Sequence, residues 1–457
     1  MTITDLYRKV HEERPAPRQA DWVEHAIFWQ IYPLGFVGAE IRPIARPEMA
    51  HTLGKLAQWL DYAVDLGVSG LLLGPIFAST SHGYDTTDHF HLDPRLGDES
   101  DFDALIEAAR KRGLRIVLDG VFNHVSRRHP AFQEVLAQGG RAAHSGWFRP
   151  LQPNAGVGGV DYAVFEGHPG LVVLNHDAPE VAEYVVTVMN HWLDRGAGGW
   201  RLDAAYAIAP TFWSRVLPRV RARHPDTYVV AEMIHGDYAA FVQESGVDSV
   251  TQYELWKAIW SSLNDGNFFE LAWALDRHNR FLERFVPQTF IGNHDVTRIA
   301  SRLANPRRLE HALAILLFSG GTPSIYAGDE QAFQGFKEDR VGGDDDIRPA
   351  FPDVPEALAP HGWPIYRLHQ ELIGLRRRQA WLHHARTRIV HLANCRLTFE
   401  SAFGDERLMI ALNAEGEGEQ PAPEMRSVLA GQGELRRPGE SSATILLPEG
   451  GWAILAP

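Results

Sequence analysis

The 457-residue sequence contains a single cysteine, Cys395, and no long uninterrupted apolar run. One thiol cannot form an internal disulfide, which excludes a small scaffold braced by disulfide bonds. The start, MTITDLYRKVHEERPAPRQ, has no apolar segment resembling a signal peptide, and no stretch approaches the roughly 20 apolar residues of a membrane span. These absences predict a cytoplasmic protein with no membrane partner.

Positive charge is also scarce, since 44 basic residues face 58 acidic ones and the formal net charge is −14. A protein that binds a phosphate backbone concentrates positive charge, so nucleic acid is not an expected partner. The 45% of hydrophobic and 22% of charged residues are typical of a folded globular chain. Its many aromatic rings, most of them expected in the core, are compatible with a neutral ligand that stacks on rings.

Short apolar segments alternate with amphipathic helical stretches along most of the chain, a pattern typical of parallel strands connected by helices. Eight such strands predict a (β/α)8 TIM barrel. The candidate strands are 26–33, 70–75, 115–120, 199–204, 227–233, 249–254, 288–293 and 322–328. The intervening helices include 52–66, 101–112, 179–195, 211–222, 305–318 and 365–378.

Two segments depart from this alternation. Residues 125–178, after the third strand, lack steady periodicity and predict an inserted subdomain, whereas residues 380–457 alternate with the period of an antiparallel β domain. The barrel is then expected to occupy 21–124 and 179–379. Residues 1–20 form an N-terminal extension with room for only a short helix.

Polar strings stand at the ends of four predicted strands, where the active site of such a barrel lies. Side chains alternate along a strand, so Arg201 and Asp203 are expected to share the face toward the barrel axis. Any one of these acids could be a solvated loop residue or an ion-pair partner. Together they indicate a carboxyl pair for glycosidic bond cleavage. The four strings are DGVFNHV (119–125), GWRLDAAYA (199–207), VVAEM (229–233) and FIGNHD (290–295).

In order and spacing these strings resemble the motifs of the α-amylase family, glycoside hydrolase family thirteen, over nearly the whole chain. GYDTTDHFHLDPRLGD, VLN and GTPSIYAGDE extend the resemblance, and TSHGYDTTDH, EMIHGD and GNHDVTRI look nearest to the cyclomaltodextrinase and neopullulanase group. That group often carries an additional N-terminal β domain that takes part in dimer formation. Because the first predicted barrel strand begins near residue 26, we expect neither that domain nor dimerisation by that route.

The resemblance implies that Asp203 is the nucleophile and Glu232 the general acid/base, with retention of configuration and carboxyl groups about 5–5.5 Å apart. Glu232 would need a raised pKa, which nearby acidic charges favour. The other implied roles are sugar binding by the third catalytic carboxylate Asp295, orientation of the nucleophile by Arg201, stacking by Tyr84, hydrogen bonding by His124 and His294, and structural support by Asp119 and Asn123.

Two positions depart from common family patterns. Many α-amylases have Lys-His where this chain has Tyr206 and Ala207, and the carbonyl of that His helps to bind calcium beside the equivalent of Asn123. A carbonyl survives any substitution, so calcium is not excluded, but we expect no required cofactor. Ser81 replaces the aspartate with which exo-acting α-glucosidases commonly clamp the non-reducing end of the substrate.

We therefore expect a hydrolase that cleaves α-1,4 bonds, with α-1,6 bonds as an alternative, in small linear, branched or cyclic maltooligosaccharides and releases maltose-sized products. Three other interpretations stay open: a transglycosylase or glucosyl-transferring isomerase, an exo-acting α-glucosidase, and a non-catalytic scaffold protein with an amylase fold. The acceptor side is expected to include residues after the acid/base and aromatic platforms of the inserted subdomain, although such rings more often belong to a core. The candidates are Met233, Ile234, His235, Trp147, Phe148, Tyr162 and Phe165.

Overall fold

The computed structural model describes residues 20–42, 48–153, 160–437 and 443–457. The short helix predicted within residues 1–20 therefore lies outside the described residues, apart from Ala20. Within the described part of the chain, none of the helices combines the length and apolarity needed to cross a bilayer.

Eight parallel strands form the predicted barrel. They are β1 Phe28–Ile31, β2 Gly70–Leu73, β3 Arg115–Gly120, β4 Gly199–Leu202, β5 Tyr228–Ala231, β6 Ser249–Val250, β7 Gln288–Phe290 and β8 Thr322–Tyr326. The order of hydrogen-bonded neighbours is β6-β5-β4-β3-β2-β1-β8-β7. A parallel bridge between Thr251 and Gln288 joins the two outer strands and completes the ring. The predicted (β/α)8 fold is confirmed.

The α-helices lie mainly between the barrel strands. Several start with proline, which fits the first helical turn because that turn has no acceptor for the missing N–H. The helices are Pro33–Val37, Leu53–Gln58, Leu60–Leu66, Glu99–Lys111, Pro130–Gln138, Pro179–Asp194, Pro210–Arg223, Tyr238–Ser245, Tyr253–Asp265, Phe269–Leu282, Ile299–Arg302, Leu309–Phe318 and Trp363–Arg377. The helix predicted over 52–66 is present as two consecutive helices, Leu53–Gln58 and Leu60–Leu66, which meet at Trp59; the buried ring of Trp59 packs against Tyr62 and Phe351.

Because successive side chains of a strand point to opposite faces, the barrel strands contribute to two separate apolar clusters. The plug inside the barrel includes Phe28, Leu72, Val117, Tyr228 and Val230, and the outer core lies beneath the helices. Trp200 and Leu202 of β4 face outward and are fully buried in the outer core. Inside the barrel, Phe28 and Tyr228 stack with their ring centroids 5.9 Å apart. A Cβ atom at Gly199 would lie 2.2 Å from the Tyr228 carbonyl oxygen, so this inner layer requires glycine there.

The polar site lies directly above this plug. Val117 of β3 belongs to the inner apolar cluster, and Asp119 follows it on the same face of the strand. Asp119 is in register with Arg201 of β4. Two residues after the plug, the inward-facing positions of β3 and β5 therefore change from apolar to charged side chains, Val117 being followed by Asp119 and Val230 by Glu232.

The chain leaves the barrel after β3, and there the strand His124–Ser126 pairs antiparallel with Leu171–Val173. The strands Pro150–Pro153 and Val160–Tyr162 form a second pair in this segment. After β2, the strands Phe77–Ser79 and Thr86–Leu92 form a hairpin beside the mouth of the barrel.

The predicted C-terminal antiparallel β domain is also present. Its strands are β9 Arg386–Ala393, β10 Arg396–Phe403, β11 Glu406–Asn413, β12 Gly418–Pro421, β13 Ser427–Gly431, β14 Glu434–Arg436, β15 Thr444–Leu447 and β16 Trp452–Ala456. They form a five-stranded sheet in the order β9-β10-β11-β16-β13 and a three-stranded sheet in the order β12-β15-β14. Met409, Ile445 and Leu455 belong to the apolar core between the two sheets.

Candidate active site

One buried guanidinium, that of Arg201, lies among four carboxylates at the mouth of the barrel. Its Nη1 is 2.5 Å from Asp119 Oδ2 and 3.4 Å from Asp203 Oδ1. Its Nη2 is 2.6 Å from Glu232 Oε1 and 3.9 Å from Asp295 Oδ2. The acids that the sequence assigns to separate strand ends therefore meet at one point. A single positive charge cannot neutralise all four, so mutual repulsion must raise the pKa of some members.

The backbone after β4 holds Glu232 in place. Ala204, the residue after Asp203, has a φ of +45°, a left-handed conformation that a residue with a Cβ adopts only at a cost. In this conformation its N–H donates to Glu232 Oε2 at 2.9 Å. The Tyr253 hydroxyl donates to Glu232 Oε1 at 3.3 Å and accepts a hydrogen bond from Asn293. Tyr253 is a site residue that the sequence analysis missed.

Burial and mutual repulsion set the protonation of the two central acids. Burial, and then the charge of Glu232, raise the pKa of Asp203 well above its usual range. Burial also raises the pKa of Glu232, against the effect of Arg201 and with that of Asp295. Because the two groups are coupled, the pair retains a proton at a higher pH than free carboxyls would. This suits a site in which one carboxyl donates a proton while its neighbour acts as an anion.

Asp295 differs from these acids because it has dedicated partners. Arg348 Nη2 donates to its Oδ1 at 2.9 Å, and His294 Nε2 lies 3.1 Å from its Oδ2. Burial alone would raise the pKa of Asp295, but His294, Arg348 and Arg201 together hold it below its usual range. Asp295 is therefore ionised. Arg348, in the loop after β8, is a second residue that sequence analysis missed. Its one distinguishing feature in the sequence is that it follows the acidic run 344–346.

A buried glutamine of β1 determines which nitrogen of His294 carries the proton. Gln30 Nε2 lies 3.1 Å from His294 Nδ1 and, as a donor, requires that atom to accept. The N–H of the ring is then at Nε2, beside Asp295 and the hydroxyl of Tyr84. Burial lowers the pKa of His294 to about 3, so the ring is neutral at pH 7. Gln30 was also missed from the sequence.

Tyr84 and His124 complete the wall of the site. Tyr84 stacks parallel to His294, with their centroids 5.5 Å apart, and donates its hydroxyl to Asp119 Oδ2 at 3.0 Å. His124 Nε2 lies 3.0 Å from the Tyr84 carbonyl oxygen, and its Nδ1 lies 3.2 Å from Asn123 Nδ2. Both ring nitrogens of His124 are thus engaged by the protein, and donation to a ligand stays a prediction that requires one of these bonds to be exchanged.

Two adjoining cavities border these residues. The smaller, of about 430 Å³, is lined by Asp203, Glu232 and Asp295 among others. The larger, of about 1020 Å³, begins at Asp295 and extends past Ser81 to the loop 337–345. Together they exceed the upper end of the 300–1,000 Å³ range of ordinary ligand sites. The cleft is thus large enough for an extended ligand with its reacting bond beside the acids.

The predicted aromatic platforms separate into two groups. Phe165 stacks on His124 at 4.6 Å and lines both cavities, and Ile234 lines the smaller one. The others are not among the residues that line either cavity. Phe148 and Tyr162 pack against Phe132 inside the inserted subdomain, Trp147 packs against Tyr184, Met233 is buried, and His235 is exposed beside Tyr206. Trp147, Phe148 and Tyr162 therefore pack against neighbouring rings outside the cleft, Phe148 buried and the other two partly buried, and the structure does not support them as platforms.

Arg348→Met should raise the pKa of Asp295, because a neighbouring opposite charge typically lowers a carboxyl pKa by about 1–3 units. Burial opposes ionisation of Asp295, so loss of the Arg348 charge should let it protonate at a higher pH. Titration of the Asp295 carboxyl by NMR between pH 3 and 8 checks this, with the charge-conserving Arg348→Lys expected to shift less. An unchanged Asp295 titration in Arg348→Met would show that Arg348 does not control Asp295.

Comparison with protein families matches residues 30–354 to the family described as alpha amylase, catalytic domain. A cyclomaltodextrinase of Geobacillus thermopakistaniensis is 30% identical over 438 residues, which cover 88% of this chain and 71% of that protein. Two further curated relatives are matched over 60% and 70% of their own length.

Solved structures agree over nearly the whole chain. The Nostoc punctiforme debranching enzyme superposes with a TM-score of 0.82 at 26% identity, covering 97% of this chain and 100% of the other. The cyclic alpha-maltosyl-(1→6)-maltose hydrolase of Arthrobacter globiformis gives a TM-score of 0.81 at 26% identity, with 96% and 100% covered. The fold, the converging acids and these matches show that the chain belongs to the alpha-amylase family of glycosidases.

Proposed function

We propose that this protein is a retaining α-glucoside hydrolase of small linear, branched or cyclic maltooligosaccharides, with Asp203 as nucleophile and Glu232 as general acid/base. The observation that carries the proposal is the convergence of four strand-end carboxylates on Arg201, beside a cavity that Asp203, Glu232 and Asp295 all line. Titratable groups that line a cleft, and whose pKa values are shifted by burial and by a charged partner, are candidates for a functional site.

The first step of the proposed reaction forms a covalent intermediate. Asp203 attacks the anomeric carbon while Glu232 donates its proton to the leaving glycosidic oxygen, so one C–O bond forms as the other breaks. Arg201 favours the Asp203 anion against burial and the charge of Glu232, and the proton that this coupled pair retains is available on Glu232 in the first step. Ionised Asp295 accepts hydrogen bonds from sugar hydroxyls and favours a positively charged transition state.

The second step reverses these roles. Glu232, now an anion, takes a proton from water, and the oxygen of that water attacks the anomeric carbon while the bond to Asp203 breaks. Two displacements restore the α configuration. The expected carboxyl separation of about 5–5.5 Å leaves no room for the water that a single-step inverting mechanism requires.

The shape of the cleft supports a ligand with more than one sugar on the side of Asp295. Ser81 Oγ donates to Asp85 at 2.6 Å and leaves the larger cavity open beyond Tyr84. The matched relatives carry names that refer to cyclic or branched substrates. We therefore propose maltose-sized products and activity on short or cyclic α-glucans.

We further propose that hydrolysis needs no calcium. The donors that the resemblance suggests are the Asn123 amide and the backbone carbonyl of Ala207, whereas calcium takes six to eight oxygen ligands, including carboxylates. Among the described residues, the group of three acids and histidines near enough to hold an ion is His51, Asp98 and Asp101, and the two aspartates cap the helix Glu99–Lys111. Neither the two donors at Asn123 and Ala207 nor the group at His51, Asp98 and Asp101 supplies the ligands that the calcium site of the family would need.

A chelator should therefore change the melting temperature by less than about 2 °C. A large drop that calcium reverses would contradict the proposal.

Product analysis tests the substrate. Linear maltooligosaccharides, panose, cyclomaltodextrins and soluble starch are each incubated with the enzyme and with Asp203→Asn as a control for contaminating activity. The expected initial product is maltose, with kcat/KM per cleavable bond higher on short and cyclic substrates than on starch. Glucose as the sole initial product, or a preference for starch, would contradict the proposed substrate while leaving the catalytic assignment intact.

A further inference from the structure

A hydrogen bond joins the inserted subdomain to the residues that follow β4, at the edge of the smaller cavity. Tyr206, three residues after the nucleophile, donates its hydroxyl to Glu166 Oε1 of the inserted subdomain at 2.8 Å. The backbone N–H of Tyr206 also donates to the Glu232 carbonyl oxygen at 3.3 Å. Glu166 lies at the junction of the two cavities and lines both, whereas Tyr206 and Ile234 line the smaller one, which contains Glu232. The bridge therefore forms part of the wall next to the acid/base.

The backbone at Glu166 is in an unfavourable conformation. Its φ of +46° and ψ of +34° lie in the left-handed region, and Gly167 follows with a φ of +77°. This conformation destabilises a residue that has a Cβ atom, whereas glycine adopts it freely. Residues in such conformations cluster at ligand sites. The conformation keeps the carboxylate at the cavity and in contact with Tyr206.

Glu166 differs from the other acids of the smaller cavity in its partners. Asp203, Glu232 and Asp295 all lie within 4 Å of Arg201. No ion pair to Glu166 occurs in the described ranges, and its hydrogen-bond donor there is the neutral Tyr206 hydroxyl. The exposed carboxylate retains acceptor capacity for donors of a ligand, and a sugar presents hydroxyl donors at this point of the cleft.

We propose that Glu166 is a specificity-determining residue that accepts a hydrogen bond from a hydroxyl of the sugar on the leaving-group side, with Tyr206 as its positioning residue. The inference rests on the proposed hydrolase function. The same position receives the acceptor in the second step, when the bond from the sugar to Asp203 breaks and Glu232 takes the acceptor's proton. Glu166 thus also favours transfer to a sugar over transfer to water.

The experiment compares substrates that differ only in the leaving group. Maltotriose leaves a sugar, whereas 4-nitrophenyl α-maltoside leaves a phenolate without sugar hydroxyls. Glu166→Ala should lower kcat/KM about tenfold on maltotriose and less than about twofold on the aryl maltoside, as expected for one hydrogen bond to a charged acceptor. With maltose added as acceptor, the share of transfer product should fall about threefold or more.

Three further variants separate this role from a general loss of structure. Glu166→Gln keeps one acceptor oxygen and should lose less than Glu166→Ala, and Tyr206→Phe should show a weaker loss with the same substrate selectivity. Glu244→Ala, at an exposed position of an outer helix, should change neither substrate. Melting temperatures are recorded for all variants.

Equal losses of Glu166→Ala on both substrates, or undiminished kcat/KM on maltotriose, would overturn this inference. If the unmodified enzyme cleaves no α-glucoside at all, the proposed function itself fails. If the unmodified enzyme cleaves both substrates, and Glu166→Ala has the same kcat/KM on each and the same share of transfer product, only the role of Glu166 fails.

Discussion

Replacing Asp203 with asparagine is expected to lower kcat on maltotriose by at least about 10⁴-fold, which corresponds to about 5.5 kcal/mol of barrier. An amide cannot form the ester intermediate that the proposed mechanism requires. The fold should persist, because burial and the charge of Glu232 already disfavour the ionised carboxylate. We expect the melting temperature of Asp203→Asn to equal or exceed that of the unmodified protein.

Steady-state rates and thermal unfolding check this prediction together. Asp194→Asn, in a partly exposed ion pair with Arg223 on the outer helices, is the matched control and should retain full activity. Activity of Asp203→Asn above about one hundredth of the original on an activated glycoside would reject Asp203 as the nucleophile.

Replacing Glu232 with glutamine should produce a loss that depends on the leaving group. Without an acid, departure of a sugar should slow by about 10³-fold, within the usual range of general acid catalysis, while departure of fluoride from α-maltosyl fluoride should slow far less. The Glu232 carboxylate forms an ion pair with Arg201 and accepts hydrogen bonds from the Tyr253 hydroxyl and the Ala204 N–H. A glutamine amide must turn its NH₂ toward one of these donors, so we also expect a lower melting temperature.

Glu232→Ala is the companion variant, since it introduces no misplaced donor. It should show the same dependence on the leaving group as Glu232→Gln, measured as the ratio of kcat/KM on maltosyl fluoride to that on maltotriose. An unchanged ratio in both variants would assign the acid to another residue.

The strand ends were predictable from the sequence because barrel geometry permits few alternatives. Asp119 and Arg201 must face inward if Leu118 and Trp200 face the helices, and the register between β3 and β4 then places the two charges side by side. The lengths of the strands were less predictable. The candidate strand 249–254 is only Ser249–Val250, because Gln252 already caps the helix that starts at Tyr253.

The supporting residues could not be predicted in the same way. Arg348 lies in a loop without periodicity and reaches Asp295 only through the fold, and Gln30 is one polar residue in an otherwise apolar strand. Phe165 and Tyr162 are indistinguishable as aromatic residues of the inserted segment. In the fold, Phe165 stacks on His124 at the cleft and Tyr162 packs against Phe132, and the left-handed turn at Glu166 that follows Phe165 has no signal in the residue itself.

The most direct test of the catalytic assignment is to trap the covalent intermediate and map it. A 5-fluoro glycosyl fluoride slows both steps through its ring fluorine, while its fluoride leaving group restores the first, so the glycosyl-enzyme accumulates. Peptide mapping by mass spectrometry should then find one added glycosyl unit, ester-linked to Asp203. A label on any other residue, or turnover with no covalent intermediate and an inverted product, would contradict the proposed mechanism.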